Sequence, residues 1–165
     1  MESNPLTAVG VLFFSVSTRR YLYVMRNDDR HPNTWGLPGG KSDSGESLLD
    51  TIQRECKEEL DLDFVNAKFL PLEKWTASDQ TFSYHTFFCQ VDKEFVPTLN
   101  DEHLGYAWID SGQWPRPMHP GLWNTVNMDA IQQKIKSLEK NLESTNYYVD
   151  DTRESMEFFK SLAQH

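Results

Sequence analysis

Between Glu46 and Leu60 the chain carries two kinds of residue on spacings that an amphipathic helix reconciles. At about 100° per residue, with Glu55 as origin, Glu58 falls near about −60° and Glu59 near about +40°. Leu49, Cys56 and Leu60 cluster at roughly 100° to 140° on the same wheel. One face therefore seeks a core and another is crowded with carboxylates. Crowding like charges on successive turns costs roughly a few tenths of a kcal/mol per pair, which a purely structural helix has no reason to accept. Carboxylate oxygens at such density are what Mg²⁺ or Mn²⁺ requires, and such ions in turn hold phosphates.

The rest of the chain supplies the layers against which this helix must pack. Thr7 to Val16 and Tyr21 to Met25 are β-branched and aromatic, and Ser17-Thr18-Arg19-Arg20 between them predicts a hairpin. Asn27 to Gly45 is rich in Asn, Asp, Pro, Gly and Ser and reads as a long functional loop ending in Pro38-Gly39-Gly40. Asp43 with Glu46, or Ser44, predicts the helix cap. Strand-like runs follow at Asp63 to Trp75, Thr81 to Val91 and Tyr106 to Ile109. After Pro115, Pro117 and Pro120 a helix is expected from Gly121 to Leu142. Its Met128, Ile131, Ile135, Leu138 and Leu142 follow a three-four spacing that suits either a sheet-packed helix or a dimer seam. A last helix, Asp151 to Ala163, has its own Asp151/Glu154 capping box.

With 25 acids against 16 bases the formal charge is −9. That balance argues against nucleic acid as a partner, because a long footprint needs a basic surface. It leaves phosphorylated small molecules open, since a bound divalent cation reverses the local sign. Cys56 and Cys89 lack metal-site spacing and read as reduced thiols of a cytoplasmic protein. The apolar run Val9 to Val16 is too short to span a bilayer, so no membrane partner is expected.

The pattern Gly40, five residues, Glu46, seven residues, Arg54-Glu55-Cys56-Lys57-Glu58-Glu59 resembles the Nudix box of the Nudix hydrolase superfamily. Trp35-Gly36-Leu37-Pro38-Gly39-Gly40 is similar to the family's usual approach to that box. Two positions depart: Cys56 stands where a larger aliphatic is commoner, and Asp61 replaces the Gly that usually follows the helix. Asp tolerates the left-handed conformation, so the helix stop is expected to survive.

The resemblance implies an α/β fold, the Nudix α/β/α sandwich with a curved mixed sheet. The box helix would cover one face and Gly121 to Leu142 the other. It implies a domain over residues 1–142, followed at 143–165 by a helical extension packing on the domain or on a second subunit of a homodimer. It implies that Glu55, Glu58 and Glu59, with the Gly40 carbonyl, ligate Mg²⁺ or Mn²⁺, and that Glu46 and Arg54 brace the loop. At eight residues apart, about two turns, Glu46 and Arg54 can meet only if Glu46 lies at or before a bent helix start.

Asn100-Asp101-Glu102-His103, followed by Tyr106 and Trp108, resembles a segment in which a Glu acts as a further ligand or base. Glu102 is the candidate base, with the box residues Glu55 and Glu58 as the other proton acceptors. Arg26, Trp35, Lys41 and His103 are candidate substrate contacts; Arg30, Tyr84, His85 and Trp123 offer further charge or stacking but also suit packing.

The reaction implied is pyrophosphohydrolysis of a nucleoside diphosphate linked to another moiety, a nucleotide sugar such as ADP-ribose or a dinucleoside polyphosphate. The alternatives are a nucleoside triphosphate or RNA 5′-end pyrophosphohydrolase, a Nudix-fold nucleotide sensor, and an isomerase of prenyl diphosphates, which would need a catalytic Cys.

Overall fold

The computed structural model describes residues 5–142 and a short strand at 148–150. In chain order the strands are β1 Leu6–Ser15, β2 Arg20–Arg26, β3 Trp35–Gly36 and β4 Gly39–Lys41, followed by the helix α1 Leu48–Leu60. Then come β5 Asp63–Val65, β6 Leu70–Thr76, β7 Phe82–Val91, β8 His103–Asp110, α2 Pro120–Asn127, α3 Asp129–Lys140 and β9 Tyr148–Asp150.

β1 is the spine of a mixed sheet. It runs parallel to β7 from Leu6↔Phe82 to Ser15↔Val91 and antiparallel to β2 at Phe14↔Tyr21. The expected hairpin is thus present only at its tip: beyond it β2 pairs with β3 at Val24↔Gly36 and Met25↔Trp35, while β8 lines its other edge from Arg20 to Arg26. The same β1 takes β4 on its N-terminal half, at Ala8↔Lys41 through Gly10↔Gly39. A parallel pair buried on both faces explains why Val9-Gly10-Val11-Leu12-Phe13-Phe14 is apolar without alternation.

The two faces carry separate cores. Val9, Val11, Phe13, Phe87 and Cys89 pack against Ile52, Cys56 and Leu60 of α1. Leu12, Phe14 and Phe88 pack against Leu122 and Val126 of α2 and Ile131 and Ile135 of α3. Helices on both faces of a mixed sheet make the expected α/β/α sandwich. No helix among the described residues is long and apolar enough to cross a membrane.

Several local expectations are corrected. Leu49 does not face the core; it is 52% exposed, and Ile52, Cys56 and Leu60 form the buried stripe, with Leu48 partly buried against it. The helix cap is Ser47, whose side chain accepts from Asp50 N while Asp50 accepts from Ser47 N, so the capping box lies four residues beyond the Asp43/Glu46 pair. The run from Asp63 to Trp75 breaks into β5 and β6 at Asn66, which takes a left-handed φ of 57°. The expected helix Gly121 to Leu142 is two helices hinged at Met128, whose ψ of 126° is extended. There Gln132 Nε2 donates to Val126 O, a carbonyl that a continuous helix would bond from its own backbone.

Asp61 keeps the helix stop, with φ 57° and ψ 41° and its N–H donated to Lys57 O. In the extension, β9 pairs antiparallel with β5 at Phe64↔Val149, a strand where only a helix was expected. The helix expected over Asp151 to Ala163 lies outside the described residues.

Candidate active site

Capping at Ser47 leaves Glu46 just ahead of α1, and this resolves the two-turn gap to Arg54. Arg54 Nε donates to Glu46 Oε2 at 2.8 Å and Nη2 to Glu46 Oε1 at 3.0 Å, a two-pronged pair. The same guanidinium donates to Lys41 O at 2.8 Å, to Glu55 Oε1 at 3.0 Å and to Glu58 Oε2 at 3.2 Å. Arg54 thus ties β4, the turn before α1 and the acidic face of α1 together. Hydrogen bonds from Arg54 and from the Asp43 amide pull the Glu46 carboxyl down to about 2.

One turn apart on α1, Glu55 and Glu59 are both buried, and Glu102 from the turn before β8 closes on them. One oxygen from each of the three lies within 4.8 Å of the others. Burial raises the Glu55 carboxyl, with Arg54 opposing. Burial also drives Glu59 up to about 10, helped by the neighbouring acids and opposed by the hydrogen bond from Gly39 N at 3.0 Å. Three convergent carboxylates, two of them desolvated, are unfavourable as a bare anionic group and suited to a divalent cation. The backbone is shaped to the same end. A Cβ on Gly40 would stand 2.5 Å from the Glu55 carboxylate, and one on Gly39, at φ +150°, would stand 2.0 Å from Val9 O. The residues present therefore fit a hard cation held by oxygen.

Tyr84 borders this group: the charge of Glu59 reinforces the burial that raises its phenol. Its hydroxyl occupies the space over Gly10, where a Cβ would stand 2.0 Å away. Tyr84 also lines a cavity of about 300 Å³ on the α2 side of the sheet. Trp75, Phe82, Leu122 and Met128 give it apolar walls, and Arg26, Glu73, His119 and Thr125 bring polar groups. Burial, then the charges of Arg26 and His31, lower His119 to about 4, so it is neutral at pH 7.

The sequence-derived candidates divide accordingly. Glu55 and Glu59 come together with Glu102, whereas Glu58 stands outside that group, 51% exposed and turned to Arg54. Gly40 lies against Glu55. Arg26 lines the cavity and is ion-paired with Asp28. His103 is largely buried near Glu102 and Arg26, its Nδ1 without a partner among the described residues. Trp35 packs on the α2/α3 core, Lys41 is exposed, and Trp123 lies under Arg116 at 5.4 Å. Glu73, Phe82 and Thr125 were not singled out from the sequence. They converge only through strand pairing and the docking of α2, which no local motif announces.

The chain is 29% identical over 157 residues to a dihydroneopterin triphosphate diphosphatase of Haemophilus influenzae, covering 86% of this chain and 90% of that one. It is 30% identical over 104 residues to the nucleoside triphosphatase NudI of Escherichia fergusonii, covering 54% and 72%. Among solved structures, the MutT NUDIX hydrolase of Burkholderia pseudomallei superposes with a TM-score of 0.60 at 22% identity, over 79% of this chain and 98% of that one. A family model, the NUDIX domain, matches residues 4–127. With Arg54 to Glu59 of its box on α1, Glu46 braced against Arg54 from the preceding turn, and that match across most of its length, the chain belongs to the NUDIX family.

Proposed function

We propose that the protein is a cytoplasmic, Mg²⁺- or Mn²⁺-dependent pyrophosphohydrolase of a ring-bearing triphosphate, releasing a monophosphate and pyrophosphate. The observation that carries this reading is the Glu55, Glu59 and Glu102 carboxylate group together with an apolar-walled cavity of about 300 Å³ lined by Tyr84, whose phenol feels the charge of Glu59.

Glu55, Glu59, Glu102 and the Gly40 carbonyl would hold the cation. When bound, the cation supplies charge neutralisation for the phosphates and makes water more acidic. Arg54 orients Glu55 and Glu58 by hydrogen bonds and anchors them to Lys41 O and Glu46. Glu58, the exposed carboxylate of the box, is the group left to accept a proton from water, while Glu102 moves from candidate base to ligand. Arg26, which lines the cavity with Tyr84, would meet a phosphate of the substrate.

Two relatives named for triphosphates support this over the nucleotide-sugar reading. Buried free thiols at Cys56 and Cys89 support a reducing compartment, and their burial offers no catalytic Cys to an isomerase. The test is a Mg²⁺-dependent product screen over nucleoside and pterin triphosphates, nucleotide sugars and dinucleoside polyphosphates. Pyrophosphate release from triphosphates is expected. Turnover confined to the sugars or dinucleotides would overturn the substrate class.

A further inference from the structure

We propose that Glu73 reads the 2-amino-4-oxo-pyrimidine edge that guanine and pterin rings share, an inference that rests on the triphosphate reading above. Glu73 enters the cavity from β6, where a register shift between Pro71 and Glu73 interrupts the pairing with β7. Its Oε1 accepts from Thr125 Oγ1 at 2.7 Å, and Thr125 is buried on α2. One oxygen is therefore anchored from the far wall. Among the described residues Oε2 has no hydrogen-bond partner, and Glu73 has no ion pair.

A carboxylate is acceptor-only, with two oxygens side by side. Its complement is a pair of adjacent N–H donors, which is what the ring N–H and exocyclic amine of a 2-amino-4-oxo-pyrimidine present. Adenine offers a ring acceptor beside a single amine and sets one lone pair against another. Inosine keeps the ring N–H and lacks the amine. Trp75, Phe82 and Tyr84 supply flat apolar surface for the ring. Thr125 keeps Oε1 turned inward, and each carboxylate oxygen retains capacity for a second donor.

The expected signature is selectivity for the amine. Hydrogen bonds to a charged group of this kind correspond to about 10- to 100-fold in kcat/KM. Steady-state kinetics on guanosine, inosine and adenosine triphosphates, with wild type and Glu73→Gln, reads it directly. Gln keeps an acceptor for Thr125, so the fold should hold, as a melting curve verifies.

Wild type should prefer guanosine to inosine triphosphate by about tenfold or more, and Glu73→Gln should bring that ratio near one. A ratio near one in both proteins overturns the role of Glu73 and leaves the proposed reaction standing. If no triphosphate is hydrolysed, the reaction fails, and calorimetry with guanosine and inosine monophosphates without metal decides Glu73 separately. Preference for guanosine that Glu73→Gln abolishes supports the assignment; equal affinity or no binding overturns it. Neopterin, followed by its own fluorescence, distinguishes the ring: tighter binding than guanosine monophosphate assigns a pterin, weaker binding a guanine.

Discussion

The amide of Gly39 donates to Glu59 Oε2 at 3.0 Å, so the loop strand β4 grips α1 through a carboxylate that is itself buried. Gln at position 59 preserves that acceptor while removing the charge. Glu59→Gln should therefore lower Mg²⁺-dependent turnover by about 10²-fold or more and leave the metal-free melting temperature nearly unchanged, because burial already holds the Glu59 carboxyl protonated near neutral pH. Mg²⁺ should raise the melting temperature of wild type more than that of the variant. Unchanged turnover would remove Glu59 from the ligand set.

Gly40 sits where a side chain would meet Glu55. A Cβ there stands 2.5 Å from the carboxylate, closer than real contacts allow, so Gly40→Ala must displace the end of Glu55. The expected result is weaker Mg²⁺ binding by calorimetry with far-ultraviolet dichroism retained. Wild-type affinity in Gly40→Ala would show that Glu55 does not need this position.

Acid should loosen the brace formed by Glu46 and Arg54. Arg54 lowers the folded-state carboxyl of Glu46 from an ordinary 4.5 to about 2. A depressed carboxyl stabilises the fold fully above the ordinary value and loses that contribution as pH falls through the folded value. Wild type should lose melting temperature between pH 4.5 and about 2, and Glu46→Gln should lose less over that window while starting lower at pH 7. Parallel profiles for the two proteins would contradict the pairing.

On the opposite face, Glu139 of α3 accepts from Tyr21 OH at 3.1 Å, and Ser111 Oγ donates to both its oxygens, to Oε2 at 3.0 Å. Glu139→Ala would leave the Tyr21 hydroxyl buried without this acceptor. The expected cost is about 1–3 kcal/mol, read by urea unfolding, with Glu139→Gln losing less. No change in Glu139→Ala would mean that water replaces the carboxylate.

Much of the fold was legible where local chemistry and tertiary structure agree. The acid and apolar faces of α1 and the uninterrupted apolar run of β1 both follow from periodicity. Asp61 was readable as a helix stop because its left-handed tolerance is intrinsic. β3 and β4 were hidden in a loop, since two- and three-residue strands of mostly Gly are held by their partners rather than by propensity. The cap was misplaced because Asp43/Glu46 and Ser47/Asp50 carry the same signal four residues apart. Only packing chose between them, by sending Glu46 to Arg54. Glu102 was legible through resemblance to a segment of the family. Glu73 was not: a lone acid in a strand acquires meaning only when Thr125 arrives from another element.

The parallel register of β1 with β7 also bears on how the molecule is made. The middle strand of the sheet is the first to leave the ribosome, yet its neighbour from Leu6↔Phe82 onward is synthesised more than seventy residues later. Until then Val9 to Phe14 lack their parallel partner, and the α2 layer that covers one face comes later still. Closing so long a loop is entropically slow, and an unpaired apolar strand is prone to wrong pairing with other chains while it waits. Folding yield during synthesis should therefore depend on chaperone capacity more than the stability of the finished domain would suggest.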